Sequence, residues 1–297
     1  MTKMTLLERL QAGEILVSDG ATGTNLQKRG LPHGVTAEQW MLEQPNQIQR
    51  LYSDFIQAGS NIILTCTFGG SPVRLEHAGL PGKTAEVNKQ AAQLAHKAAE
   101  GSDVLIAGSI GPSGQMLKPL GLLEIDEATA SFAEQAKALE EGGVDFLVIE
   151  TQFDIAEATA AIKGAQSSTS LPIICSFSYD RGVRTMMGVK PSQMAKAIAP
   201  LGVLALGVNC GRNLEENHTV LQTLKENTDL PIWFKPNAGM PELDENNKPT
   251  YSVDPAEMGS NVAAWIEAGA SIIGGCCGNS PEHIQAIAEA VKAYQTR

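Results

Sequence analysis

The chain has 297 residues, 43% of them hydrophobic, and a formal net charge of −11 at pH 7. That is enough apolar material for one large core, and the acidic balance argues against nucleic acid as a partner. No apolar run approaches the ~20 residues of a membrane span, and residues 1–8 read as a short helix rather than a targeting segment, so no membrane is expected and the cytoplasm is the expected compartment.

Taken in chain order, short apolar or β-branched runs fall at 15–17, 61–65, 104–107, 146–149, 173–177, 204–208, 232–234 and 271–273. Between them lie amphipathic stretches rich in Ala, Glu, Gln and Lys, such as 128–141 and 191–199. Strands that are apolar throughout suit a parallel sheet covered by helices on the outside. Eight strand–helix units in a chain of this length predict a single (β/α)8 TIM barrel over 1–297, with an open doubly wound sheet as the competing arrangement. The one long polar stretch, 241–254, follows the seventh strand and is too long to be a mere connection.

A barrel of this kind carries its site at the C-terminal ends of the strands, and those positions are polar or sulfur-bearing in strand after strand. Strand one ends in Asp19-Gly20-Ala21-Thr22-Gly23-Thr24, strand two in Cys66-Thr67-Phe68-Gly69-Gly70, and strand three in Gly108-Ser109-Ile110-Gly111-Pro112. Strand four runs Phe146-Leu147-Val148-Ile149 into Glu150. A carboxylate at the mouth of an apolar barrel needs a cation, which a substrate ammonium or a neighbouring Arg or Lys would supply. Asp19 is similar, although Asp-Gly is also a turn signal. Phe68 either walls the pocket or packs in the core, and Asn209 and Asn237 either bind substrate or orient loops. Asp154 with Glu157, and Ser280-Pro281-Glu282-His283, read as helix caps, which makes His283 structural. No dinucleotide fingerprint or P-loop occurs.

Cysteine usage carries the most chemistry. Cys66 and Cys175 sit in apolar runs and read as small buried hydrophobes. Cys210 follows an apolar strand in Val208-Asn209-Cys210-Gly211, and the adjacent pair lies in Gly274-Gly275-Cys276-Cys277-Gly278 after the last one. Neighbouring cysteines make only a strained bridge, and five cysteines are too few and odd in number for a secreted disulfide framework. Three thiolates without a fourth protein ligand would leave a zinc ion one open position, as catalytic zinc requires. Spacing alone leaves this open against unrelated buried thiols.

Together these motifs resemble the homocysteine S-methyltransferase family, and within it the homocysteine-binding barrel of cobalamin-dependent methionine synthase. The matching residues are Asp19 to Thr24, Thr67-Phe68, Gly111-Pro112, Glu150-Thr151 with Asp154, Asn209-Cys210, Pro236 to Pro241 and Gly274 to Gly278. The resemblance implies one zinc ion held by Cys210, Cys276 and Cys277, with the homocysteine sulfur at its open position. It implies no catalytic residue beyond that activated substrate thiol. Glu150 would then take the homocysteine amino group, and the backbone around Asp19, Gly20 and Ala21 its carboxylate, with Thr67, Phe68, Asn209 and Asn237 completing the substrate site. The chain has no room for folate, cobalamin or activation modules. The resemblance therefore implies that cobalamin acts only indirectly, through a separate corrinoid protein that brings the methyl group. A small methylsulfonium donor, and a non-catalytic thiol-binding module, are the alternatives.

Overall fold

The computed structural model describes residues 3–243 and 249–296. Eight parallel strands form one sheet: β1 (Leu16–Val17), β2 (Ile62–Leu64), β3 (Leu105–Ile110), β4 (Phe146–Gln152), β5 (Ile173–Phe177), β6 (Ala205–Cys210), β7 (Ile232–Pro236) and β10 (Ala270–Ile273). Between β7 and β10, strands β8 (Pro241–Leu243) and β9 (Pro249–Tyr251) make a small antiparallel hairpin. The sheet order runs β1-β10-β7-β6-β5-β4-β3-β2, and a parallel bridge between Ser18 and Ile62 brings its two ends together. Closure selects the predicted (β/α)8 barrel over the open sheet.

That seam between β1 and β2 is short in backbone pairing and is completed by side chains. The Asn61 N–H donates to the Val17 carbonyl at 2.7 Å, and the Val17 N–H donates to Asn61 Oδ1 at 2.8 Å. One step further, the Asp19 N–H reaches the Ile62 carbonyl and the Leu64 N–H donates to Asp19 Oδ2 at 2.7 Å.

Two apolar layers follow from the period-2 alternation of the strands. Inside the barrel, Leu16, Ile62, Leu105, Phe146, Trp233 and Ile272 form a plug from which water is excluded. The short N-terminal helix Leu6–Gln11, closed by a Thr5/Glu8 capping box, sends Leu6 and Leu10 against its base. Outside, alternate strand residues meet the helices. Helix Ile125–Glu141 buries Ala128, Phe132, Ala136 and Leu139 at near-helical spacing. It packs closely on helix Ile155–Ser168 because Gly164 has no side chain; a Cβ there would stand 2.4 Å from the Thr129 carbonyl oxygen.

Strands β3, β4, β6 and β7 run two to three residues past the apolar runs that predict them, ending at Ile110, Gln152, Cys210 and Pro236. Backbone pairing in a parallel ladder continues regardless of side-chain polarity. Glu150, Cys210 and Lys235 therefore sit on rigid strands, whereas Asp19, Cys276 and Cys277 stand just beyond the ends of theirs. Among the described residues, no helix is long and apolar enough to cross a membrane.

Candidate active site and metal centre

Counting inward-facing residues up β4 gives Phe146, Val148 and then Glu150; up β7, Trp233 and then Lys235. Both charged groups are thus carried to the top of the apolar plug by strand periodicity. Glu150 is buried, and its Oε1 accepts a hydrogen bond from the Ser109 hydroxyl on β3 at 2.6 Å. Burial pushes its carboxyl up to about 7, although the Lys235 charge pulls the other way.

Lys235 donates to Asp19 Oδ1 at 2.6 Å, with both side chains at most 3% exposed, and its Nζ stands 5.4 Å from the centroid of the Trp233 ring. Burial works against the ammonium, but Asp19 and then Glu150 hold its pKa above the ordinary lysine value. Burial likewise opposes the Asp19 charge, which Lys235, the Leu64 N–H and the Ser18 hydroxyl offset. The neighbouring cation that would compete with a substrate ammonium for Glu150 is therefore committed to Asp19.

The three cysteines meet at the same end. Cys210 closes β6, and Cys276 and Cys277 follow β10 by way of Gly274-Gly275. Their Sγ atoms all lie within 4.8 Å of one another, with Cys210 and Cys276 at 2.8 Å. The local backbone is built for this. Among the described residues, Cys210 and Thr151 are the non-glycine residues with positive φ, both at 60°. Gly275 must lack a side chain, because a Cβ would stand 2.3 Å from Asn279. Asn279 in turn donates to the Pro236 and Cys276 carbonyls at 3.0 and 3.1 Å. Hydrogen bonds from Cys210 and Cys276 lower the Cys277 thiol, while sulfur contacts and burial raise that of Cys210. Cys276, lowered by its Cys210 contact, is raised overall by Cys277 and burial, so one thiolate is favoured in the cluster before any metal binds.

The donor set fits a thiophilic ion. Zinc–sulfur bonds of about 2.3 Å in tetrahedral geometry put neighbouring sulfurs roughly 3.8 Å apart, a spacing small side-chain rotations reach from here. Among the described residues no fourth Cys, His, Asp or Glu joins the group. Such a set leaves a position for a ligand from outside.

Asn209 lies directly beneath the sulfurs and is fully buried. Its Oδ1 accepts from the Thr151 N–H at 2.9 Å and the Ser176 hydroxyl at 2.6 Å, and its Nδ2 donates to Thr151 Oγ1 at 2.7 Å. Above the sulfurs, Tyr251 at the end of the hairpin lies across Gly278, where a Cβ would stand 2.4 Å from its ring. Its phenol is raised to about 12 by burial and by the nearby Cys277, Cys276 and Cys210 sulfurs.

One cavity of about 750 Å³ joins these elements. Of the residues expected to bind substrate, Gly20, Ala21, Phe68 and Glu150 line it, together with all three cysteines. Asp19, Thr67, Asn209 and Asn237 lie behind its wall. Thr67 is spent on Thr65 Oγ1 and the Ser109 carbonyl, each at 2.7 Å. Asn237 donates to the Gly211 carbonyl at 2.8 Å while its Oδ1 has no hydrogen-bond partner. The Asp19 and Ala21 N–H groups go to the Ile62 and Asn279 carbonyls, which leaves the first turn of helix Thr22–Lys28 as the open donor group of that segment.

The cavity also has walls beyond the residues expected to bind substrate: Lys235, Thr151, Tyr251, Glu38 and Arg74. Glu38 accepts from the Gly69 N–H at 2.6 Å, and burial raises its carboxyl despite that bond and the nearby Arg74 charge. The hairpin occupies the predicted long polar stretch and contributes Pro241, Pro249 and Tyr251 to the cavity; its run at 244–248 lies outside the described residues. Asp154 caps its helix through the Glu157 N–H, and His283 ties Ser280 to the Val253 carbonyl, so both have the structural roles expected. Cys66 and Cys175 are buried and unpaired, as expected of small hydrophobes.

Comparison with known proteins agrees with this geometry. The model of the family described as homocysteine S-methyltransferase matches residues 16–291. A methionine synthase of Mycobacterium leprae is 29% identical over 96% of this chain, and that of Mycobacterium tuberculosis 28% over 93%. The chain spans only about a quarter of each, 25% and 24% of their lengths. Among solved structures, the metallated form of the Escherichia coli homocysteine methyltransferase MmuM superposes with a TM-score of 0.80 at 26% identity, covering 94% of this chain and 97% of that one. A methyltransferase from Methanosarcina mazei, at 14% identity and a TM-score of 0.62, shares the fold.

Proposed function

The chain belongs to the homocysteine S-methyltransferase family, and from that premise we propose that it methylates the thiol of homocysteine to give methionine, with one zinc ion held by Cys210, Cys276 and Cys277. The observation that carries this reading is one cavity lined by three converging sulfurs and by a buried carboxylate without a cation of its own. The whole chain acts as a single homocysteine-binding barrel, and the reaction belongs in the cytoplasm, where thiols stay reduced.

When bound, zinc makes the substrate thiol available as a thiolate at neutral pH, which supplies the nucleophile. The remaining work is positioning. Glu150, aimed by Ser109, takes the homocysteine ammonium in a site where burial makes an unpaired carboxylate costly. The first turn of helix Thr22–Lys28 offers its open backbone N–H groups to the substrate carboxylate, with Gly20 and Ala21 lining the cavity beside it. Asp19 binds no substrate in this scheme. Its carboxylate keeps Lys235 from neutralising Glu150. Asn237, whose backbone N–H donates to the Cys210 carbonyl and whose side chain donates to the Gly211 carbonyl, orients the loop under the sulfurs.

For the methyl donor we propose a methylated corrinoid carried by a separate protein, in keeping with the likeness to methionine synthases, of which the chain spans about a quarter. One feature favours a second reading. Glu38 and Arg74 bring a carboxylate and a guanidinium to the same cavity, a pair suited to the amino-acid head of a small methylsulfonium donor such as S-methylmethionine. The test is methyl transfer to homocysteine by the zinc-loaded enzyme from methylcobalamin, S-methylmethionine and S-adenosylmethionine in parallel. Turnover with a sulfonium alone overturns the corrinoid donor, and no turnover with any of them, with homocysteine still bound, makes the chain a binding module.

A further inference from the structure

The proposed reaction raises a selectivity problem. Three cysteine sulfurs and the substrate sulfur share one centre, and any exposed thiolate can attack a methyl group. The three protein sulfurs must be poorer nucleophiles than the fourth. A hydrogen bond donated to a thiolate engages the electron pair that would form the new S–C bond.

Two side chains are placed to donate. Acceptance from the Thr151 N–H and the Ser176 hydroxyl fixes which end of the Asn209 amide carries oxygen. Its Nδ2 then stands 3.7 Å from the Cys210 sulfur and 3.8 Å from the Cys276 sulfur. The third sulfur, that of Cys277, shares the cavity wall with Tyr251, whose ring is seated on the adjoining Gly278 and whose hydroxyl is the donor available on that side. Each donor thus serves different sulfurs, and neither comes from the substrate.

We propose that Asn209 and Tyr251 are positioning residues that protect the protein's own sulfurs from methylation, Asn209 shielding Cys210 and Cys276 and Tyr251 shielding Cys277, so that the methyl group passes to the substrate sulfur alone. This rests on the zinc-thiolate reading above. It accounts for the full burial of Asn209, for its three hydrogen bonds to Thr151 and Ser176, and for a tyrosine where the hairpin meets the cluster.

The test is alkylation of the zinc-loaded protein by iodomethane without homocysteine, with methyl counted on each cysteine by peptide mass. In that step a sulfur lone pair forms the S–CH3 bond as the C–I bond breaks and iodide leaves with the electron pair. Asn209→Asp keeps the acceptor for Thr151 and Ser176 and removes the amide donor. It should raise methylation of Cys210 and Cys276 roughly tenfold and leave Cys277 unchanged. Tyr251→Phe removes one hydroxyl from a partly exposed side chain and should do the reverse, roughly tenfold on Cys277 alone. Variants that raise all three sulfurs alike, or none, overturn the proposal. Tyr251→Phe gives that answer even if Asn209→Asp does not fold. Zinc content is measured first: a wild-type chain that takes up no zinc sinks the proposed function, whereas zinc-loaded variants with the wild-type pattern sink only the shielding.

Discussion

The lower and upper halves of the barrel interior are built on the same eight strands and obey opposite rules. Below, the inward files hold Phe146, Trp233 and Ile272, side chains whose burial stabilises the fold by about 1.5–3 kcal/mol for each large one. Two residues higher on β7 stands Lys235, and four residues higher on β4 stands Glu150. Here burial costs free energy unless each charge finds a partner. The lower half secures the strands so firmly that the upper half can hold an acid, a base and three thiols in one small volume. Stability and chemistry are thereby assigned to different heights of one scaffold.

The sharpest cut between them is a cysteine. Cys276→Ser should abolish stoichiometric zinc and lower methyl transfer roughly a thousandfold, while the unfolding transition of the metal-free chain stays where it was; metal analysis and calorimetry check both. Phe146→Ala is the mirror experiment. It should remove about 3–5 kcal/mol of unfolding free energy in denaturant and leave the KM for homocysteine unchanged. A large KM change in that variant would break the division of labour.

Lys235→Met tests the one place where the two halves overlap. Leaving Asp19 buried and unpaired should cost about 3–5 kcal/mol, and adding Asp19→Asn, which still accepts from Leu64, should recover most of it. Glu150→Gln is milder. It should raise the KM for homocysteine about ten- to a hundredfold, the worth of a charge-assisted hydrogen bond, with little effect on the melting temperature.

The smallest effect is one of pH. The Glu150 carboxyl in the folded chain is raised from 4.5 to about 7, so the native state holds a proton that the unfolded chain has lost. Its contribution to stability therefore falls as pH rises from about 4.5 to about 7. Homocysteine affinity moves the other way and strengthens across pH 7, because its ammonium needs the ionised carboxylate. Proton release on binding, read calorimetrically in buffers of different ionisation enthalpy, should exceed that of Glu150→Gln below pH 7 and match it above.

The barrel was legible from the strand runs, since all eight appear where the apolar segments fall. Glu150 was legible because a lone carboxylate ends an apolar run, and the sulfur cluster because cysteines end two strands. Lys235 escapes notice, although the same count from Trp233 places it inward, because it directly precedes the Pro236 to Pro241 motif that draws attention past it. Asp19, Thr67 and Asn209 look from sequence like substrate contacts. In the fold their polar atoms are taken by Lys235, by Thr65 and the Ser109 carbonyl, and by Ser176 and Thr151, partners that, Thr65 apart, are distant in sequence and that no local pattern encodes. Arg74 and Glu38 come from helices outside the barrel strands, so reading strand ends alone does not reach them.

The seam between β1 and β2 has a consequence of its own. Besides its two peptide hydrogen bonds, this part of the ring is held by a carboxylate and a carboxamide, which act as its clasp. The same carboxylate grips Lys235 across the mouth. A ring fastened this way opens first at its clasp, so the amides of Val17 and Leu64 become the earliest to trade their hydrogens with solvent. Whatever tightens the grip on Lys235 slows that breathing, and the circumference of the barrel is set in part by a single aspartate.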